Sequence, residues 1–233
     1  QLSAMARMLS LKSDHHWSEP CFDQTSHFIK DILPENNTFL DSFYNTKKHM
    51  EGLGLPSIQI DCCVNGCMIY WGADIEMISC KFCSQSRYKT RVDGSMKQRK
   101  QGAVKRMIYF PLAPRLQRLY ASPATAAHMR WHAEHHQEND MMRHCSDSEE
   151  SKKFDKAHPS FSSEIRNVRL GLSTDGFQPF GQSGKQYSSW PITVTPYNLP
   201  PWMCLKEPYM FLSILVPGPK NPKQKIDVYL QPL

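Results

Sequence analysis

The sequence predicts a mixed fold of helices and strands, of the α+β or α/β class, and three observations lead to this prediction. Apolar residues recur at helical spacing in the first fifty or so residues. Five cysteines fall between residues 60 and 83 among short apolar and aromatic pieces. From Asn167 onward, apolar residues alternate with polar ones or form continuous runs, as they do in strands. We therefore expect a helical N-terminal region, a small cysteine-rich segment and a sheet in the last third.

Composition limits the classes of function. A chain of 233 residues can bury a core of its own as one large domain or two small ones. No stretch of about 18 apolar residues and no basic segment before a sustained apolar run is present, so neither a membrane span nor a secretory signal is predicted. The net charge of +6 favours an anionic partner, although the surfaces of ordinary soluble proteins also carry such an excess of positive charge. Because the first residue is Gln1 and not Met, we expect a piece of a longer protein.

Two amphipathic helices are predicted in residues 1–58. Pro34 ends the first apolar set, and the second set stops at Gly52 and Gly54. We expect both helices to pack on a core through these sets. The two sets are Phe22, Phe28, Ile29, Ile32 and Leu33, then Phe39, Leu40, Phe43, Tyr44 and Met50.

The cysteine spacing predicts a metal site. Cys63 and Cys67 have three residues between them, twelve residues follow, and Cys80 and Cys83 have two between them. Two close pairs of thiolates suit a tetrahedral Zn²⁺, because each pair forms one knuckle and the metal joins the two. Two disulfides or buried thiols are the alternatives, and without a secretory signal metal is favoured. Four thiolates leave no open position, so the zinc would be structural.

The neighbouring Cys62 competes with Cys63 as a ligand. Cys63 is preferred because it leaves Asn65 and Gly66 to make the tight turn before Cys67.

A basic segment completes residues 59–106 after the cysteines. From Arg87 to Arg106, eight of twenty residues are Lys or Arg and only Asp93 is acidic, with Gly94 and Gly102 among them. This pattern predicts a flexible basic loop or hairpin that contacts DNA phosphates without reading sequence. The candidate contacts are Arg87, Lys89, Arg91, Lys97, Arg99, Lys100, Lys105 and Arg106.

A histidine-rich helix is predicted in residues 107–150. Ser122 before Pro123 is typical of a helix N-cap and a first-turn proline. Glu134 stands one place too late for the metalloprotease pattern, so a solvated helix with a histidine-rich face is favoured over a histidine-metal hydrolase. The acidic stretch Glu138–Glu150 then marks a boundary. The possible ligands are His128, His132, His135, His136, His144 and Cys145.

Strands are predicted in residues 151–233. Val168, Leu170 and Leu172 alternate with polar residues, which puts Asp175 in register with the polar set. "WPITVTPYNLP" and "YMFLSILVPG" predict two further strands, the second one buried. The last stretch, "KIDVYLQPL", fits a strand or a helix.

The glycines that follow Asp175 raise the possibility of a phosphate-binding loop. Gly176 and Gly181 have the spacing and Ser183 supplies the hydroxyl, but Gln182 stands where lysine is required, so no ammonium is placed to meet a phosphate. We expect these glycines to shape the turn after a central strand. Asp175 and Asp227 are candidate ligands for a pair of Mg²⁺ ions, although spacing alone supports this weakly.

Several long stretches carry a resemblance to a known family. They are "IDCCVNGCMIYW", "YFPLAPRLQRLY", "MRWH", "FDKAHPSFSSEIRNVRLGLSTDGFQPFG", "SWPITVTPYNLPPWMCLKEPYMFLSILVPGPK" and "IDVYLQPL", together with Cys80 and Cys83. In collinear order from about Leu9 to Leu233, they resemble the transposases of plant CACTA (En/Spm) DNA transposons. The resemblance implies a nuclear cut-and-paste enzyme, a possible homo-oligomer when complete, with an RNase H-like α/β core and a DDE-type carboxylate triad.

The resemblance also assigns roles to residues. Asp175 matches the first catalytic aspartate and Asp227 the second, less clearly because its place relative to the core strands is not evident. The third carboxylate is expected beyond Leu233, so this chain alone should bind DNA and not cut it. A zinc-dependent DNA- or protein-binding module without catalysis is the alternative. Two departures from the family pattern are Cys62, where a small residue is common, and His128, where an acid usually precedes "MRWH".

Overall fold

The computed structural model describes residues 2–51, 54, 56–89, 102–135, 142–179 and 187–233. The chain divides into two compact units, Gln1–Leu55 and Pro56–Leu233. The predicted boundaries after residues 58, 106 and 150 stay predictions.

The first unit is helical. It consists of α1 (Leu2–Asp14), α2 (Glu19–Ile32) and α3 (Phe43–Glu51). Helix α2 begins at its N-cap Ser18, whose Oγ accepts a hydrogen bond from the backbone N–H of Cys21 at 3.2 Å. The helices enclose a small core of Met8, Phe22 and Phe39.

The buried face of α2 differs from the predicted one. Phe22 and Ser26 are buried and Ile29 packs against the core, as expected for positions i, i+4 and i+7 of one face. Phe28 and Ile32 are 65% and 68% exposed. The prediction that these two residues share the core face is wrong: Phe28 lies off that helical repeat, and Ile32 is exposed although it lies three positions after Ile29.

The second unit is built around an antiparallel sheet. Its described strands are β1 (Ile58–Cys62), β2 (Lys105–Tyr109), β3 (Leu170–Thr174), β4 (Trp190–Pro196) and β5 (Phe211–Val216), in the spatial order β1-β2-β5-β4-β3. Its described helices are α4 (Ala113–Ala121), α5 (Pro123–Ala126), α6 (Trp131–Glu134), α7 (Glu149–Ala157), α8 (Pro159–Ser162) and α9 (Ile226–Leu230). The mixed α and β composition agrees with the sequence prediction.

Two hydrophobic clusters involve the strands of the sheet. One gathers a residue from each of four strands, Ile60, Met107, Ile192 and Ile214, and is packed against Tyr229 of α9. The other joins β4 and β5 to the helical segment before α7, through Val194, Phe211, Leu112, Leu119 and Met129. The last stretch of the sequence is therefore helical and supplies part of the core, which settles the choice between strand and helix.

Strand β3 lies at an edge of the described sheet. It pairs with β4 on one side, and Leu170 and Leu172 are 42% and 52% exposed. The expectation of a central strand is therefore wrong for the described sheet. Alternation alone shows which side chains share a face, but not whether another element covers that face.

The predicted histidine-rich helix is interrupted. Ser122 and Pro123 occupy the N-cap and first-turn positions of α5, but the Ser122 side chain makes no capping hydrogen bond. A 3₁₀ turn over His128–Arg130 separates α5 from α6. The backbone N–H of His132 donates to the carbonyl of Asn198 at 3.3 Å. The prediction of one continuous helix is therefore wrong, because a 3₁₀ turn interrupts the helix next to the backbone hydrogen bond with Asn198. His136 lies outside the described residues.

Candidate metal centre

Four cysteines converge in the described structure. The Sγ atoms of Cys63, Cys67, Cys80 and Cys83 all lie within 4.8 Å of one another. The Cys63 and Cys83 sulfurs are 3.5 Å apart, and all four thiols are free. Sulfurs around a tetrahedral zinc lie about 3.8 Å apart, from a Zn–S bond of about 2.3 Å. The set has the number, type and spacing of ligands that a structural zinc requires.

The backbone explains why the first pair converges. The N–H of Gly66 donates to the carbonyl of Cys63 at 2.9 Å, which closes the predicted turn before Cys67. Gly66 has a φ of +66°, and a Cβ there would lie 2.9 Å from the hydroxyl oxygen of Tyr229. Glycine is therefore needed at this position both for the left-handed backbone and for the close approach of α9.

The second pair is held by a similar turn. The N–H of Ser84 donates to the carbonyl of Cys80 at 2.8 Å, and the N–H of Cys80 donates to the carbonyl of Gln85 at 2.9 Å. Ser84 has a φ of +56°. Both turns present two sulfurs to one point, as metal knuckles do.

Cys62 lies outside the cluster. Its side chain is buried in the sheet core with Ile60 and Met107, and burial raises the pKa of its thiol to about 12. The four grouped cysteines are the set that the spacing favoured, and the group includes Cys63 and not Cys62.

The surroundings of the cluster are suited to thiolates. Tyr70 packs against the cysteines, and its buried hydroxyl has no hydrogen-bond partner among the described residues. The side-chain amide of Asn65 donates to Cys83 Sγ at 3.6 Å, and the ammonium of Lys225 lies 3.9 Å from Cys67 Sγ. Thiolates bound to a metal keep negative charge, so donors and cations next to them are stabilising.

The thiols have different acidities before metal is bound. A hydrogen bond from the backbone of Gln85 lowers the pKa of Cys83 to about 6. Burial raises the pKa values of Cys63 and Cys67. Metal binding then requires proton release from the buried thiols, so affinity should rise with pH.

The ends of the basic segment are anchored to the sheet. Asp61 of β1 accepts hydrogen bonds from Arg87 Nε at 2.8 Å and from Arg106 Nε at 2.9 Å. The Asp61 and Arg87 side chains are 11% and 14% exposed, whereas that of Arg106 is 44% exposed. Of the predicted DNA contacts, Arg87 is largely committed to an ion pair. Four others, Arg91, Lys97, Arg99 and Lys100, lie outside the described residues.

The two predicted catalytic aspartates are exposed. Asp175 directly follows β3, and its Oδ1 accepts the backbone N–H of Gly176 at 2.7 Å. Asp227 lies in the first turn of α9. Within the described residues, neither belongs to a group of three or more candidate metal ligands. Their joint action on magnesium stays a prediction.

The histidines belong to a packed cluster. His132 Nε2 and Arg169 Nη1 are 2.5 Å apart, and Arg169 Nη2 donates to Asp155 Oδ1 at 2.6 Å. Burial, with the charge of Arg169, lowers the pKa of His132 to about 4. His144 is buried, and His135 stacks on Trp131 with ring centroids 4.2 Å apart. The interpretation of a solvated histidine face is therefore wrong for His132.

Three residues near the metal centre were missed in the sequence. Tyr70, Lys105 and Tyr229 come together with the cysteine turns only through the fold. "CMIYW" does place an aromatic residue three positions after Cys67, which is a local signal for Tyr70. No local signal links Lys105 to Tyr229, whose side chains are joined by a hydrogen bond of 3.1 Å across 124 positions.

A transposase family matches the C-terminal part of the chain. The model of transposase family tnp2 covers residues 139–233, which include β3, β4, β5 and α9. Both Asp175 and Asp227 lie inside this span, whereas the cysteine cluster lies outside it. No curated protein and no solved structure matches the chain. The family match supports a transposase-related function, and with it DNA binding.

No helix in the described part of the chain is long and apolar enough to cross a membrane.

Proposed function

We propose that this chain is part of a nuclear DNA transposase of the plant CACTA (En/Spm) type. The match of residues 139–233 to the tnp2 family carries the proposal. The collinear motifs from about Leu9 onward support the finer CACTA assignment.

The proposed catalytic part is the first portion of an RNase H-like core. Three consecutive antiparallel strands, β3, β4 and β5, with Asp175 directly after the first of them, support this assignment. Asp175 and Asp227 would supply carboxylate oxygens, the ligands that Mg²⁺ prefers. Bound magnesium would activate the attacking oxygen and stabilise the leaving one in phosphodiester hydrolysis and strand transfer.

The proposed role of the cysteine cluster is structural. A Zn²⁺ held by Cys63, Cys67, Cys80 and Cys83 would join the two cysteine turns. The two zinc-bound turns would then hold the neighbouring basic segment 87–106 in place next to DNA.

The zinc proposal is tested by metal analysis of freshly purified, reduced protein. We expect about one Zn²⁺ per chain, lost in Cys80→Ser. Cys62→Ser is the matched control, because Cys62 adjoins the first ligand but points into the sheet core. Zinc-free wild-type protein, or equal loss of zinc in both variants, would overturn the assignment.

The DNA proposal is tested by titrating labelled oligonucleotides at several salt concentrations. We expect affinity to fall steeply with salt, because basic side chains release counterions from phosphates. We expect no strand cleavage in Mg²⁺, since the proposed third carboxylate is not part of this chain. Mg²⁺-dependent nicking that Asp175→Asn abolishes would contradict the need for that carboxylate.

A second candidate is a zinc-dependent binding module without catalysis. It is favoured by one observation: within the described residues, the cysteines form the only group of three or more candidate metal ligands. Reading the gene beyond Leu233 separates the two candidates. A frame that continues to an acidic residue in a further helix supports the enzyme, and an early stop supports the module.

A further inference from the structure

A large cleft lies beside the first cysteine turn, inside the Pro56–Leu233 unit. Its volume is about 1110 Å³, whereas sites for small molecules usually measure about 300–1,000 Å³. Its walls include the turn Val64–Gly66, Lys105 of β2, the pair Tyr187 and Ser188, and the loop 219–225 that leads into α9. A cleft of this size, with walls from several separate parts of the chain, suits an extended ligand.

The charged residues that line the described cleft are all lysines: Lys105, Lys220, Lys223 and Lys225. The ammonium of Lys225 donates to the backbone carbonyl of Asn65 at 3.0 Å and also lies 3.9 Å from Cys67 Sγ, at the junction of the cleft and the first cysteine turn. The last three are exposed. Clefts lined by charge of one sign raise the local concentration of the opposite ion.

The fourth lysine is set deeper. Lys105 is half-buried, and its ammonium donates to the hydroxyl of Tyr229 at 3.1 Å. Burial lowers the pKa of Lys105, because its charged form has lost water without gaining a carboxylate. An anion in the cleft would stabilise this charge.

The loop that carries the exposed lysines is tightly constrained. The backbone N–H of Lys223 donates to Asn221 Oδ1 at 2.6 Å, and Lys223 has a φ of +50°. A Cβ on Gly218 would lie 2.8 Å from the carbonyl oxygen of Ser188, so only glycine permits this approach. Strained positions of this kind are enriched where a loop clamps a ligand.

The cleft adjoins both segments that carry the proposed catalytic aspartates. Gln178 on its wall lies three positions after Asp175. Lys225 and Tyr229, also on its wall, each lie two positions from Asp227.

We propose that this cleft binds the phosphodiester backbone of a DNA strand and leads the strand along the segments of Asp175 and Asp227. The choice of DNA rests on the proposed function, whereas the binding of a phosphate chain rests on the lysines. Among the described residues of the basic segment 87–106, the cleft includes only Lys105.

A charge-matched pair of triple variants tests the cleft. In the cleft variant, Lys220, Lys223 and Lys225 are replaced by Gln. In the control, three exposed lysines that do not line the cleft are replaced by Gln, which changes the net charge equally: Lys153, Lys156 and Lys206. Both are compared with the zinc-loaded wild-type chain, and zinc content and unfolding midpoint are measured for each.

The probe is a labelled single-stranded 12-mer, with inorganic triphosphate as competitor. The slope of the logarithm of the binding constant against the logarithm of the salt concentration should fall in magnitude by about 2 when three contacts are lost. Each contact to a single strand contributes about 0.7 to this slope. At 0.1 M salt this corresponds to a loss of affinity of up to about 100-fold, and we expect at least about 10-fold. The control should lose less than about 3-fold. Equal losses in both variants, or triphosphate binding as tight as the 12-mer, would overturn the proposal.

Lysine footprinting on the wild-type chain keeps the test independent of variant stability. The bound 12-mer should protect Lys220, Lys223 and Lys225 from acetylation and leave Lys153 reactive. Binding of the 12-mer without this protection would refute the cleft while DNA binding stands. If the 12-mer does not bind but inorganic polyphosphate protects the same lysines, the choice of DNA fails and the phosphate site stands. If neither ligand protects them, the cleft proposal fails.

Discussion

The cluster around Arg169 makes the stability of the second unit depend on the charge of His132. The imidazole Nε2 faces the guanidinium of Arg169, and Nδ1 is buried without a hydrogen-bond partner among the described residues. Protonation of His132 would place a second positive charge against Arg169, which already pairs with Asp155. The perturbation is therefore simple: lowering the pH from 7 to 5.

The magnitude follows from the difference in pKa between folded and unfolded chains. The pKa of His132 falls from the ordinary 6.5 to about 4 on folding. The folded state therefore binds fewer protons, and its stability is complete above pH 6.5 and lost as the pH falls from 6.5 towards 4. The full shift corresponds to a loss of about 1.8 kcal/mol between pH 7 and pH 5. Because the ring is only partly buried, solvent screening reduces the expected loss to about 1 kcal/mol.

The assay is urea denaturation at pH 7 and pH 5, followed by tryptophan fluorescence. The free energy of unfolding of the wild-type chain should fall by about 1 kcal/mol more than that of His132→Gln, which cannot be protonated. His128→Gln is the matched control, since His128 lies in the preceding turn and is not part of the Arg169 cluster. Metal release at low pH affects all three proteins, so it cancels in the comparison.

One result would refute the reasoning directly. If the free energies of unfolding of wild type and His132→Gln fall by the same amount within about 0.3 kcal/mol, protonation of His132 does not contribute to the pH dependence of stability. A nuclear magnetic resonance titration of the His132 ring gives the same answer without denaturation. A midpoint at or above 6.5 would show that the cluster does not hold the ring neutral.

Three further predictions concern stability. Asp61→Ala should lower the free energy of unfolding by about 3 kcal/mol, because it removes the carboxylate partner of the largely buried Arg87 guanidinium, whereas Arg106→Met should cost less than about 1 kcal/mol at its exposed site. Ile214→Ala should cost about 2–5 kcal/mol by urea denaturation, since Ile214 is fully buried in the sheet core. Ser18→Ala should destabilise α2 by about 1 kcal/mol, measured as faster amide exchange along that helix. The ion-pair prediction fails if the Asp61 and Arg106 variants lose equal stability. The core prediction fails if Ile214→Ala costs less than about 1 kcal/mol, and the capping prediction fails if amide exchange in α2 is unchanged.

Features set by local geometry could be predicted from the sequence. Each cysteine pair is closed by a turn of a few residues, so its spacing already indicates two knuckles. Strands β4 and β5 were also predicted, because each is a short apolar run between turn residues. The face of α2 was misjudged where Phe28 was assigned to the core by its apolarity and not by its position on the helical repeat.

Features set by distant contacts could not be predicted. The break before α6 accompanies a hydrogen bond from His132 to Asn198, which lies far along the chain. The exposure of Leu172 depends on which elements cover β3, and no alternation pattern contains that information.

The sequence by itself determined the two cysteine pairs as a chemical set, the segments of β3, β4 and β5, and the location of Asp175 after a strand. These depend on residues within a few positions of one another, where covalent geometry and side-chain periodicity limit the outcomes. Only the tertiary structure decided that Lys105 and Lys225 line one cleft beside the cysteine turn, and that α9 packs on the sheet through Tyr229. Lys105 and Lys225 are more than a hundred positions apart, and they come together because β2 and α9 contribute side chains to the same buried core.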